Sequence, residues 1–329
     1  MLPGLCERGL LHDELAREPV EVRRHDPVHL LVLDPEQGGG QLCIVDRSLH
    51  NRFIERPIQK RLAVDGDSWV TVDVYGEPDA PGLVIVPGVM SDAHTWRRVV
   101  GAIAAWPSVV VVNRRGRTPS GPLTNSYSLR TEVEDLGVVL DEFDSTRALF
   151  GWSYGGLITL LAANDRPIPH VIAYEPVMQP FRRHAVPELK SAAETADWDR
   201  CVEIVNRQIS GFSAAHVEDL QADQHGWAIL RRLSEPLYAE LSALNAAPPP
   251  DVMARQADQV DLIIGQCNRG TAPYGTSFDN VRQHVLTPES TNSPARAIWP
   301  TFRRRQSLAT SSTTSPPSDG HPCQRTALH

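Results

Sequence analysis

The run Leu149-Phe150-Gly151-Trp152-Ser153-Tyr154-Gly155-Gly156 is apolar up to a Gly-x-Ser-x-Gly turn and then continues as helix-forming residues to Asn164. A serine hydroxyl is a weak nucleophile. A tight strand-to-helix elbow lifts it out of the sheet toward a base, at a cost in backbone strain. Such a turn needs small neighbours. Gly151 and Gly155 stand two residues either side of Ser153, where a Cβ would meet the approaching strand or helix, and Gly156 lets the following helix pack closely. The helix begins beneath the serine, so its N-terminal amides and dipole favour negative charge there. Ser153 is therefore a candidate nucleophile, set against the plainer reading of a glycine-rich strand-to-helix turn.

Upstream of the elbow the pattern is regular from about Lys60. Arg61 to Val64, and Trp69 to Tyr75 with valine at alternate positions, read as two antiparallel strands joined at Asp65-Gly66-Asp67. Leu83-Val-Ile-Val86 and Val109-Val-Val-Val112 are fully apolar, as buried central strands are. The first runs into Pro87-Gly88-Val89-Met90 and a helix carrying Trp96, Val99, Val100 and Ile103. The second ends in Asn113-Arg114-Arg115-Gly116. Ser128 caps a further helix whose Leu129, Val133, Leu136, Leu140 and Phe143 share one face. Val171 to Tyr174 is another strand. Strands alternating with helices predict an α/β fold with a doubly wound, mostly parallel sheet, and ligands of such sheets bind at the carboxyl ends of the strands.

This order of motifs resembles the α/β-hydrolase family over about residues 60 to 285. The resemblance implies an α/β-hydrolase fold with a helical cap. It also implies backbone amides from Val89 and Tyr154 as the oxyanion hole, donors fixed in advance for the charge that develops on a carbonyl oxygen. In that family the cap falls between the strand at Tyr174 and the next strand, Val260 to Ile264. Here residues 177 to about 258 fill that interval with helical patterns at Glu188 to Ala196, Asp197 to Ile209, His216 to Gln221 and Trp227 to Leu244, before Pro248-Pro249-Pro250. A cap excludes water and its inner surface selects the substrate. Trp198, Phe212, Trp227, Leu230, Leu237 and Tyr238 are candidates for lining the pocket or for the cap's own core. Arg114 and Arg115 either hold an acidic group or fix their loops.

The remaining triad members are harder to place. A serine hydrolase needs a histidine to take the serine proton and an acid to orient it. The family's acid position reads Gly265-Gln266-Cys267-Asn268, without a carboxylate. Glu175, which ends the preceding strand, is the alternative acid, with fixing a loop as its plainer role; Asp279 lies farther along a helix. No Gly-x-Gly-His follows. Nearly half of residues 286 to 329 are Ser, Thr or Pro, a composition that does not form a buried strand and closing helix. Gly320-His321 has the letters but no strand before it, and His94 and His284 fall in helical contexts. Read one nucleotide earlier, with suitable synonymous codons, residues 286 to 316 become a strand, a Gly-Gln-Gly-His turn and an amphipathic helix. The expectation is a tail frameshifted relative to a functional ancestor, and a chain impaired by the loss of its histidine.

Composition narrows the partners. A net charge of −8 over 329 residues gives no electrostatic reason to expect nucleic acid or an anionic membrane. No apolar run approaches the roughly 20 residues that span a bilayer, and the first residues lack a signal-peptide core, so a cytoplasmic location is expected. The five cysteines have no Cys-x-x-Cys spacing and read as free thiols. No metal cluster or phosphate-binding glycine loop stands out, so no metal or cofactor is expected, and the partner is a small-molecule substrate. Residues 1 to 59 read as an extension of uncertain structure, with a hairpin at 28–33 and 42–45 as one alternative. The readings carried forward are a serine hydrolase acting on an ester, thioester or related acyl bond, and a non-catalytic small-molecule-binding protein of the same fold.

Overall fold

A computed structural model of the protein describes residues 56–285. The two apolar runs near the N-terminus, the Ser/Thr/Pro-rich tail and Gly320-His321 lie outside the described residues. Seven strands form one sheet: β1 (Ile58–Val64), β2 (Ser68–Gly76), β3 (Gly82–Val86), β4 (Ser108–Asn113), β5 (Thr146–Trp152), β6 (Ile168–Tyr174) and β7 (Ala257–Ile263), in the order β1-β2-β4-β3-β5-β6-β7. β2 runs antiparallel to β1 and β4, and the other pairings are parallel. This is the mostly parallel sheet that the sequence predicts.

Strand periodicity sorts the apolar side chains into two layers. Leu83, Ile85, Val109 and Val111 face α1 (Ala93–Gly101), whose Trp96 packs against Phe150 and Trp152 with ring centroids 5.7 and 6.2 Å apart. Val70, Val72, Val84, Val86, Val110 and Val112 face the opposite way, toward α2 (Leu129–Glu142) and α3 (Tyr154–Asp165). Ser128 caps α2 as expected: its side chain accepts from the Thr131 amide, while Thr131 returns a bond to the Ser128 backbone. Helices therefore cover both faces.

The helical insertion between β6 and β7 carries α4 (Val186–Glu194), α5 (Trp198–Ile204), α6 (Ala214–Ala222), α7 (Gln224–Ser234) and α8 (Leu237–Ala246). The single helix expected from Trp227 to Leu244 is two, because Pro236 lacks the N–H that a continuous helix needs. α5 continues into a π-helical turn, Val205–Ile209, closed by a bond from the Ser210 amide to the Val205 carbonyl at 2.8 Å. After β7 comes α9 (Tyr274–His284), and Val285 then makes a parallel bridge to Met253. Cys201 is a buried free thiol that burial pushes up to about 11. Cys267 is disulfide-bonded, which corrects the reading of every cysteine as free.

Candidate active site

The elbow is as strained as its sequence demands. Ser153 has φ 53° and ψ −115°, a region that a side chain enters only where the surroundings enforce it. Its own amide donates to Tyr174 O at 2.9 Å, and its carbonyl accepts from Leu157. The glycines are required by contact. A Cβ on Gly155 would lie 2.1 Å from Val86 O and 2.7 Å from Pro87 O, and one on Gly151 would lie 2.4 Å from Gly155 O. At Gly156 the nearest atom, Cβ of Pro176, is 3.1 Å away, so that position is the most forgiving of the three.

The loop after β3 presses on the elbow. A Cβ on Gly88 would lie 3.0 Å from Trp152 O and 3.2 Å from the Ser153 Cβ. Val89, the next residue, lines a cavity together with Ser153 and Tyr154. Tyr154 opens α3, so its amide has no acceptor within the helix. Val177, Phe181, Val205, Ile209, Leu237, Leu241, Leu244 and Tyr274 supply the apolar wall, and Glu240 the one carboxylate. Of the six residues expected to line a pocket, only Leu237 does so. Leu230 is buried and Trp198 and Tyr238 pack at the edge of the core, while the Trp227 indole donates to Asp199 and Phe212 stacks on His216. Those side chains hold the insertion together.

Beneath this loop lies a buried ionic cluster. Arg114 Nε donates to Pro87 O at 3.0 Å, Nη2 to Gly88 O at 2.9 Å, and Nη1 to Glu132 Oε1 at 2.6 Å. Nη1 also pairs with Glu240 Oε1 of α8 at 2.7 Å. Arg117 Nη2 donates to Glu240 Oε2 at 2.8 Å. Burial opposes charge on Arg114, but Glu132 and Glu240 outweigh it and hold its proton more tightly than usual. Burial likewise pushes Glu240 up, yet Arg114 and Arg117 bring it below the ordinary carboxylate range. Arg115 grips Asp135 with two bonds. Of the two roles open to Arg114 and Arg115, the structure shows loop fixing. α7 adds a further tie, from Arg232 Nη2 to Asp92 Oδ2 at 2.8 Å, at the residue that caps α1.

Glu175 ends β6 with φ 47° and follows the residue whose carbonyl holds the Ser153 amide. Its Oε1 accepts from the Gly265 amide at 3.0 Å and from Asn268 Nδ2 at 2.7 Å. The carboxylate thus fixes the loop after β7, where Asn268 stands in the stretch read as the family's acid position. Asp279 is on the exposed side of α9 beside Arg282. None of the described histidines lines the Ser153 cavity. His94 is exposed, His284 bonds to the Asn280 carbonyl and His170 pairs with Asp261. Among the described residues no cluster of His, Cys, Asp or Glu could hold a metal ion, and no helix is long and apolar enough to cross a membrane.

Sequence reasoning missed Glu240 and the linkage of Arg114. The signal was present in part: Glu240 sits inside the apolar stripe of Leu237, Leu241 and Leu244, where a carboxylate needs a buried partner.

Comparison with known proteins agrees with this architecture. Residues 83–319 match the sequence profile of the alpha/beta hydrolase family. The chain belongs to the alpha/beta hydrolase family. This alpha/beta hydrolase superposes on several solved structures at low identity. They include an alpha/beta hydrolase from Sphaerobacter thermophilus (TM-score 0.52, 18% identity, covering 71% of this chain and 95% of that one). The enol-lactonase of Burkholderia xenovorans is similar (0.53, 20%, covering 69% and 88%). So is the esterase RhEst1 from Rhodococcus (0.53, 15%, covering 73% and 89%). Those likenesses concern the fold. Among curated proteins, the magnesium-chelatase 30 kDa subunit of Rhodobacter capsulatus is 28% identical over 137 residues, which are 41% of this chain. The chain spans about half, 48%, of that relative's length.

Proposed function

We propose that this alpha/beta hydrolase is built for acyl transfer through Ser153, with the Val89 and Tyr154 amides as oxyanion donors and the helical insertion as a cap. The observation that carries the reading is the strained Ser153 on the wall of an apolar cavity that Val89 and Tyr154 also line. Attack of Oγ on an ester or thioester carbonyl would break the C=O π bond and place the negative charge on oxygen, where two preorganised amides meet it. Expulsion of the alcohol or thiol leaves the acyl group on Ser153, and water then releases the acid. The cavity wall suits a neutral, apolar acyl group, because the Glu240 charge is matched by Arg114 and Arg117. The Ser153 proton still needs a base. Glu175 is the acid that would orient such a base, since it is adjacent to the residue hydrogen-bonded to Ser153.

With no histidine of the described residues at the cavity, this chain is expected to turn over p-nitrophenyl esters weakly or not at all. The experiment is ester turnover and fluorophosphonate labelling of the chain and of Ser153→Ala. Slow labelling confined to Ser153 supports the reading, and labelling that survives Ser153→Ala ends it. Fast turnover abolished by Ser153→Ala would keep the serine and overturn the claim of impairment. Sequencing the gene across the Val285 codon tests the proposed frameshift, which fails if the neighbouring frame lacks Gly-x-Gly-His. The apolar wall of the cavity supports a second reading, a non-catalytic binder of an apolar small molecule, in which methyl octanoate binds stoichiometrically and is recovered intact.

A further inference from the structure

We propose that Arg114 is a positioning residue that aims the Val89 amide at the cavity, and that Glu240 holds it there, coupling α8 of the insertion to the oxyanion donor. The proposal rests on the reading of Val89 as a donor.

The argument begins with one peptide plane. The Gly88 carbonyl and the Val89 N–H belong to the same planar trans unit, so they point in opposite directions. Fixing one aims the other. Arg114 Nη2 fixes the Gly88 oxygen at 2.9 Å, and Nε takes the preceding carbonyl, Pro87 O, at 3.0 Å. The guanidinium is a rigid planar fork, so gripping two successive carbonyls removes the freedom of this loop to rotate. Ser91 Oγ adds only a longer bond to Gly88 O, at 3.3 Å. Val89 lines the cavity wall together with Ser153 and Tyr154. A positively charged donor on the Gly88 oxygen also polarises that amide, which strengthens its N–H as a donor.

Arg114 is 2% exposed, and a cation so buried persists only with partners. A guanidinium serving ion pairing alone would turn its donors toward carboxylates. Here two nitrogens go to loop carbonyls, and Nη1 alone meets Glu132 and Glu240. Glu132 belongs to the sheet-covering helix α2, whereas Glu240 belongs to α8 of the insertion, where it also binds Arg117. The position of α8, beside the Leu237, Leu241 and Leu244 wall, is therefore transmitted through one guanidinium to the donor amide.

The test uses the full chain, ¹⁵N-labelled, with the Val89 amide followed by NMR, together with the rate of alkyl fluorophosphonate labelling at Ser153. Arg114→Lys keeps the charge but cannot hold both carbonyls, and Glu240→Gln keeps the shape of the cluster while removing its charge. The expected result is an upfield shift and faster hydrogen exchange of the Val89 amide in both variants, with amides of the distant edge strand β1 unmoved. Ser153 labelling should slow about tenfold, with little change in the reagent's apparent affinity. A Val89 resonance that stays in place in folded Arg114→Lys or Glu240→Gln overturns the proposal. If Arg114→Lys does not fold, Glu240→Gln alone decides between these outcomes. Should the parent chain not label at Ser153 while Val89 responds to both substitutions, the positioning stands and the acyl-transfer reading fails.

Discussion

Ser153 and Glu175 lie at the carboxyl edges of neighbouring strands, yet they are held by different kinds of contact. At the Ser153 end, backbone crowding around Gly155 and a buried ionic cluster on the Pro87 and Gly88 carbonyls hold the turn and the loop beside it. At the Glu175 end, the carboxylate accepts from a backbone amide and from a side-chain amide of the loop after β7. Ser153 and the loop after β3 are thus set by contacts from β3, β4, β5, β6, α2 and the insertion.

The sharpest way to break this contrast is Gly155→Ala. The added Cβ meets backbone oxygen at 2.1 Å, and neither partner can rotate away. The variant is expected to lose about 4 kcal/mol or more, or not to fold, as read by urea denaturation. Wild-type stability would show that the Ser153 end tolerates repacking.

Glu240→Ala should come next, at about 3–5 kcal/mol, since it leaves Arg114 and Arg117 buried without this partner. The pH dependence has a definite sign. Arg114 and Arg117 hold Glu240 below its ordinary value of 4.5, so its contribution is fully present above that pH and fades as pH falls through the folded value. Urea midpoints between pH 6 and 3 should fall more steeply in the parent chain than in Glu240→Gln.

At the Glu175 end the effects are smaller. Asn268→Ala removes one of the bonds to Glu175 Oε1 and is expected to cost about 1–2 kcal/mol, measured by the same denaturation. A loss matching that of Glu240→Ala would erase the distinction between the two ends. Smallest is a gain: Ser153→Gly relieves the φ 53° backbone and should raise stability by up to about 1 kcal/mol. A drop in the melting temperature would show that the serine side chain stabilises the elbow.

Much of the Ser153 end was legible in the sequence, because the features that build it are local. The apolar runs at Leu83 and Val109, the Ser128 cap and the Gly-x-Ser-x-Gly spacing each depend on near neighbours in the chain. The elbow glycines follow from the steric needs of a turn. Glu240 and Arg114 are more than a hundred residues apart, and their pairing depends on how the insertion docks. The same docking decided which apolar residues reached the cavity, which is why Leu237 lines it and Trp227 does not. Pro236 was visible as a breaker, but the apolar pattern on both sides of it read as continuous.

The π-helical turn at Val205–Ile209 offers a separate handle on what the cavity admits. Both of its end residues contribute to the wall, while the i to i+5 bond from Ser210 accommodates one residue more than an α-helical turn. Deleting a single residue between them would restore ordinary helical winding while later side chains of that segment keep about their present facing, because the turn holds the one residue that would be removed. Val205 and Ile209 would stay on the wall with a narrower turn between them, and Ser153, Val89 and Tyr154 would be untouched. The shape of this cavity can therefore be altered by the length of one turn, without changing any residue at the elbow.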